Sequence, residues 1–117
     1  MHVNVFDFSQ LLTRYKEKYL EFLRVSSLSV GIYELNANDK DVQKPHSEDE
    51  VYYVARGRAK MTTGSDGDSE TFDVSPGTII FVPARVRHLF HDITESLAVL
   101  VFFAPAEGSN TKTREKR

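Results

Sequence analysis

The sequence predicts an all-β fold, an antiparallel sandwich or small barrel with one short helix at its start. From Tyr19 onward, apolar and polar residues alternate with a period of two in short runs, the pattern of strands with one face in a core. About eight such runs are separated by clusters of Gly, Pro, Asn, Asp and Ser that break regular backbone. Helical spacing occurs only ahead of them. The chain has 117 residues, 40% of them hydrophobic and 27% charged, the size of one domain with a single real core.

Asp7 followed by Gln10 resembles a capping box, and Phe8, Leu11, Leu12 and Tyr15 follow at helical spacing. A helix over about 8–16 is expected, its apolar face packed on the domain. Tyr19 to Val25 and Leu28 to Leu35 are strands split by Ser26-Ser27, and Asn36 to Asp41 is a polar loop. Glu50 to Arg56 and Arg58 to Thr63 read as a hairpin about Gly57, which can adopt the positive φ of a tight turn. A polar loop over 64–69 leads to Glu70–Val74, and Ser75-Pro76-Gly77 turns into Thr78–Val82, stopped by Pro83. Val86–Ile93 and Leu97–Phe103 complete the set. Residues 1–105 form one domain with no internal repeat, and 106–117, small, polar and charged, are expected to be a disordered tail.

Composition excludes several classes of function. A formal net charge of −2 and the lack of a helix-turn-helix segment or basic patch argue against nucleic acid as a partner. With no cysteine, thiolate metal sites, cysteine nucleophiles and disulfides are ruled out. The N-terminus lacks a basic region followed by an apolar run, and the apolar run from Leu97 to Ala106 is too short to span a bilayer. A cytoplasmic protein without a membrane partner is expected.

The chemistry concentrates in Lys44-Pro45-His46-Ser47-Glu48-Asp49-Glu50, which runs into the apolar strand ending at Gly57. His46 and Glu50 are an even number of residues apart, so an extended chain points both to one side. His88 opens a later strand, with Phe90 and Asp92 on its face and His91 turned outward. Two imidazoles and one carboxylate converging in a barrel match the set that holds a divalent metal and leaves positions open. Iron(II) suits it best; manganese, nickel, zinc and copper are compatible. The competing reading is a metal-free polar network at a pocket mouth, with Lys44 paired to Glu48 or Glu50.

Fixed offsets strengthen the pattern. His46, three residues, Glu50, six residues, Gly57 resembles the first motif of the cupin superfamily, which carries a further histidine where this chain has Lys44. Gly77, Pro83, His88 and Asp92 fall in register with the second motif, with Arg85 in place of a glycine and Asp92 in place of an asparagine. The resemblance, to small single-domain cupins, spans about Leu28 to Pro105. It implies a double-stranded β-helix (jelly-roll) barrel whose mononuclear divalent metal is held by His46, Glu50 and His88, with Gln43, Glu48 or water in the vacancy left at Lys44. Around these, Tyr52 is a packed core aromatic or a candidate acid or base, Arg85 a candidate grip for a substrate carboxylate, Arg87 is expected at the surface, and Phe90 is an apolar wall of a pocket or of the core; Asp92 lies on the site's strand face. Cupins of this size include dioxygenases, isomerases, decarboxylases and lyases, so the likeness names a site rather than a reaction. It leaves two functions open, metal-dependent conversion of a small polar molecule or non-catalytic sensing of a sugar or organic acid. It also implies a homodimer, with Tyr19–Val25 as a candidate edge. His2 is expected to take no part.

Overall fold

The computed structural model describes residues 3–14, 18–64 and 67–109. Within them run helix α1 (Phe8–Arg14) and strands β1 (Tyr19–Val25), β2 (Leu28–Leu35), β3 (Asp49–Thr63), β4 (Glu70–Val74), β5 (Ile79–Val82) and β6 (His88–Ala104). All strand pairs are antiparallel, in the order β1-β2-β6-β3-β4, with β5 also on β3. Asp7 caps the helix as its sequence predicts, Oδ1 accepting the Gln10 amide at 3.0 Å. Tyr15, Lys16 and His2 lie outside the described residues.

Two expected breaks are continuous strand. Gly57 does not turn a hairpin but sits inside the 15-residue β3, at φ +94°. The register against β6 shifts on either side of it, which marks β-bulges that bend a strand without ending it. A Cβ there would come within 2.3 Å of the Ser96 carbonyl oxygen, so the residue serves a close backbone approach. The expected strands Val86–Ile93 and Leu97–Phe103 likewise join in the 17-residue β6. Bending lets these long strands serve both ends of the barrel: β3 pairs β5 over Glu50–Tyr53 and β4 over Ala59–Thr63.

The inner face is the core, with Tyr52, Val54, Met61, Phe90, Leu97 and Phe103 among its fully buried members. Alternation turns the neighbours of these residues outward. Tyr53 faces Ile79 and Val51 faces Phe81 across β3 and β5, and Ile79 and Phe81 are 68% and 60% exposed. No helix among the described residues is long and apolar enough to cross a membrane.

The ordered chain extends past the boundary expected from composition. Ala106 is buried, the Glu107 amide donates to Ser29 Oγ at 2.8 Å, and the Gly108 amide donates to Glu48 Oε1 at 2.9 Å. Residues 110–117, the rest of the expected tail, lie outside the described residues.

Candidate metal centre

His46, Glu50 and His88 reach one point from three places in the chain. Glu50 is the second residue of β3, flanked in register by Val82 of β5 and Phe103 of β6. His88 is the first residue of β6. His46 precedes β3 in a loop pinned by its own carbonyl, which accepts the Arg85 amide at 2.7 Å. One ligand atom from each of the three lies within 4.8 Å of the others.

The outer hydrogen bonds orient both rings. His88 Nδ1 lies 2.9 Å from the Val86 carbonyl, which only accepts, so this nitrogen carries a proton. Its Nε2 faces inward, 2.8 Å from Glu50 Oε1 and 3.0 Å from the Tyr52 hydroxyl. His46 Nδ1 lies 3.3 Å from Glu107 Oε2, and its Nε2 lies 3.1 Å from Gln43 Oε1. The Gln43 amide is set by its Nε2, which donates to Asp41 Oδ2 at 2.8 Å. His46 therefore stands between two acceptor oxygens, one at each ring nitrogen.

Glu50 is 2% exposed, and neither of its carboxylate oxygens has a hydrogen-bond partner. The approach of His88 Nε2 is close enough for an ion pair but is not aligned as a hydrogen bond. A buried carboxylate left this way is costly unless a cation meets it, and in the metal-free protein the protonated His88 ring at 2.8 Å is that cation. Burial pulls the His88 imidazolium down, but the adjacent Glu50 carboxylate overrides it and holds His88 above its ordinary 6.5. Burial first, then the Glu50 charge, pushes the Tyr52 phenol well above its ordinary range. Tyr52 thus remains a proton donor at neutral pH. Two imidazoles and a buried carboxylate without an aligned hydrogen bond are a donor set that fits a divalent transition metal.

The family model for the cupin domain matches residues 31–104. The chain is a cupin. It is 52% identical over 89 residues to the uncharacterized protein SCO3923 of Streptomyces coelicolor, covering 76% of this chain and 81% of that one. It is 30% identical over 89 residues to an acireductone dioxygenase of Bacillus cytotoxicus, covering 74% of this chain and only 52% of the dioxygenase. A solved RmlC-like cupin with a double-stranded β-helix fold from Methanocaldococcus jannaschii superposes with a TM-score of 0.68 at 18% identity, covering 90% of this chain and 93% of that one.

The remaining residues singled out in this cupin's sequence divide sharply. Tyr52 and Gln43 line a cavity of about 210 Å³ that takes in His46 but neither Glu50 nor His88, together with Tyr19, Tyr33, Phe103 and Glu107. Glu48 is buried but turned to Ser47 and the Gly108 amide. Phe90 packs edge-on against Tyr52 in the core, centroids 5.2 Å apart, rather than lining this cavity. Lys44 is exposed, where Glu48 and Glu50 are buried, because an ammonium keeps its water more cheaply than it enters an apolar barrel. Arg85 and Arg87 are both exposed, as expected for Arg87; neither lines this cavity, and Arg87 lines the wider groove beside His91. Asp92 is exposed at φ +48°, because a bulge in β6 reverses the alternation after Phe90. His91 faces outward as expected, its Nε2 2.7 Å from Thr62 Oγ1, beside a wider open groove that holds none of the three residues.

Sequence reasoning passed over Asp41 and Glu107. Asp41 is buried and accepts from the Tyr33 hydroxyl, the Gln43 side chain and the Phe90 amide. In a loop of mixed polar residues no local signal separates it from its neighbours. Tyr19 reaches the cavity across Gly31, where a Cβ would come within 2.5 Å of its hydroxyl; a glycine inside a strand pattern was the available sign.

Proposed function

We propose that this cupin binds one divalent metal through His46 Nε2, Glu50 and His88 Nε2, and acts on a small polar molecule held in the adjoining cavity. The Glu50 carboxylate carries the reading, buried without an aligned hydrogen bond, with His88 Nε2 2.8 Å away and His46 in the same cluster. When bound, such a metal would supply open coordination positions that polarise a substrate oxygen or admit dioxygen. The chain's own residues do the rest. Gln43 and Tyr52 present hydrogen-bonding groups in the cavity lining, 3.2 Å apart. Tyr52 holds a proton beside the centre, ready for donation to a ligand that gains charge. Phe103, with Val101, gives the cavity an apolar wall that limits water near the reacting atoms.

Because part of this chain is similar to an enzyme named acireductone dioxygenase, oxygen uptake is the first activity to assay; isomerase and lyase chemistry follow. The exposed Lys44 favours a second reading, ligand binding without turnover, since it leaves three protein ligands where the resemblance implies four. Metal analysis of protein purified without chelator decides first. We expect near-stoichiometric metal in the wild type and loss in His88→Ala; a metal-free wild type would sink the proposal. Oxygen electrode traces with enediols, keto acids, catechols and thiols then separate enzyme from binder.

A homodimer is proposed as the working form, with the Tyr53, Ile79 and Phe81 stripe as a further candidate surface beside the β1 edge, because exposed contiguous apolar area favours a cover. Light scattering after size exclusion tests it, and a monomeric mass at micromolar concentration refutes it.

A further inference from the structure

We infer that Glu107 is the positioning residue of His46, and that the segment Ala106–Ser109 carrying it is a working part of the centre. Its carboxylate lies 3.3 Å from His46 Nδ1, while His46 Nε2 lies 3.1 Å from Gln43 Oε1, the oxygen that also accepts from Tyr52 at 3.2 Å. The Val86 carbonyl holds Nδ1 of His88 at 2.9 Å. Each ring thus has an acceptor at Nδ1, and its Nε2 is turned to the Gln43 and Tyr52 side chains. Such partners at Nδ1 fix ring orientation and raise the donor strength of the other nitrogen.

The segment is built to hold that carboxylate in place. Ala106 is 2% exposed. The Glu107 amide donates to Ser29 Oγ at 2.8 Å, and the Glu107 carbonyl accepts from Arg24 at 2.6 Å. Gly108, at φ +83°, turns the chain so that its amide donates to the buried Glu48 carboxylate at 2.9 Å. Glu48 therefore clasps the segment. Glu107 also walls the cavity next to Gln43. It lies beyond the residues that match the cupin domain, 31–104, so this grip comes from chain outside that match.

The consequence for metal affinity rests on the reading above, but the grip on His46 does not, and the test separates them. Zinc(II) affinity is measured by chelator competition for the wild type, Glu107→Ala and Glu107→Gln. Nitrogen-15 NMR of the histidine rings is recorded on the metal-free proteins. Glu107→Ala is expected to bind zinc about 10- to 100-fold more weakly. Glu107→Gln, whose amide oxygen still accepts, falls between it and the wild type. The His46 Nδ1 signal moves in Glu107→Ala while that of His88, held by Val86, stays. Ser29→Ala, which loosens the segment but leaves the carboxylate, shifts both readouts in the same direction by less. Zinc affinity within twofold of wild type together with an unmoved His46 signal overturns the inference. If the wild type takes no zinc, the functional reading fails, and the His46 signal alone decides the role of Glu107.

Discussion

His88 is subject to two opposed influences, burial that disfavours its charge and a carboxylate 2.8 Å away that favours it. The carboxylate wins, so the metal-free folded state binds a proton more tightly than the unfolded chain. The stabilisation is then fully present below the unfolded value of about 6.5 and fades as pH rises through the raised folded value. Glu50→Gln should bring the His88 value down, measured by NMR titration, and should flatten this part of the stability profile of the metal-free protein. An unchanged His88 titration would show that Glu50 is not the cause. Arg85 makes a different point. It holds φ +69° where the cupin motif has glycine, and its amide donates to the His46 carbonyl at 2.7 Å. A side chain in that conformation costs roughly 1–2 kcal/mol, partly offset by the freedom glycine has when unfolded. Arg85→Gly should stabilise by about 0.5–1 kcal/mol in urea titration without moving metal content. A destabilised variant would mean that the arginine side chain makes a contribution of its own.

β3 and β6 carry the architecture between them, and their bulges do what a hairpin turn was expected to do. Gly57 is the tightest point, with the Ser96 carbonyl against its α-carbon face. Gly57→Ala combines positive-φ strain with a backbone clash and should cost about 2–4 kcal/mol, read as a lower urea midpoint. Loss of under about 0.5 kcal/mol would mean that the seam relaxes easily, since most neutral substitutions fall in that range. The same bulging moves Asp92 off the face it was expected to share with His88. Parity arguments hold along regular strand, as Glu50, Tyr52 and Val54 show, all buried, and fail across a residue that local alternation does not announce.

The centre draws on chain from Asp41 to Glu107, so its assembly is a property of the closed barrel. Metal that binds the folded chain alone should stabilise it by about 2.7 kcal/mol at a hundredfold excess over Kd, a rise of about 10 °C or more in Tm for a domain of this size. The rise should shrink at acid pH, as protons compete for both imidazoles, and chelator should reverse it. A Tm indifferent to zinc, manganese and iron(II) would contradict a preformed site.

By itself, the sequence determined the all-β class, most strand positions and three residues able to meet at a metal. Alternation, turn residues and two spaced motifs are local patterns that survive reading in one dimension. Tertiary structure alone decided that Gly57 bends a strand instead of ending it, that Arg85 and Lys44 stay in water, and that Asp41 and Glu107 enter the site. Those outcomes depend on what distant chain arrives beside each residue. Whether a carboxylate meets solvent, an amide or an imidazole is fixed by closure of the barrel, and no neighbouring residue in the sequence records it.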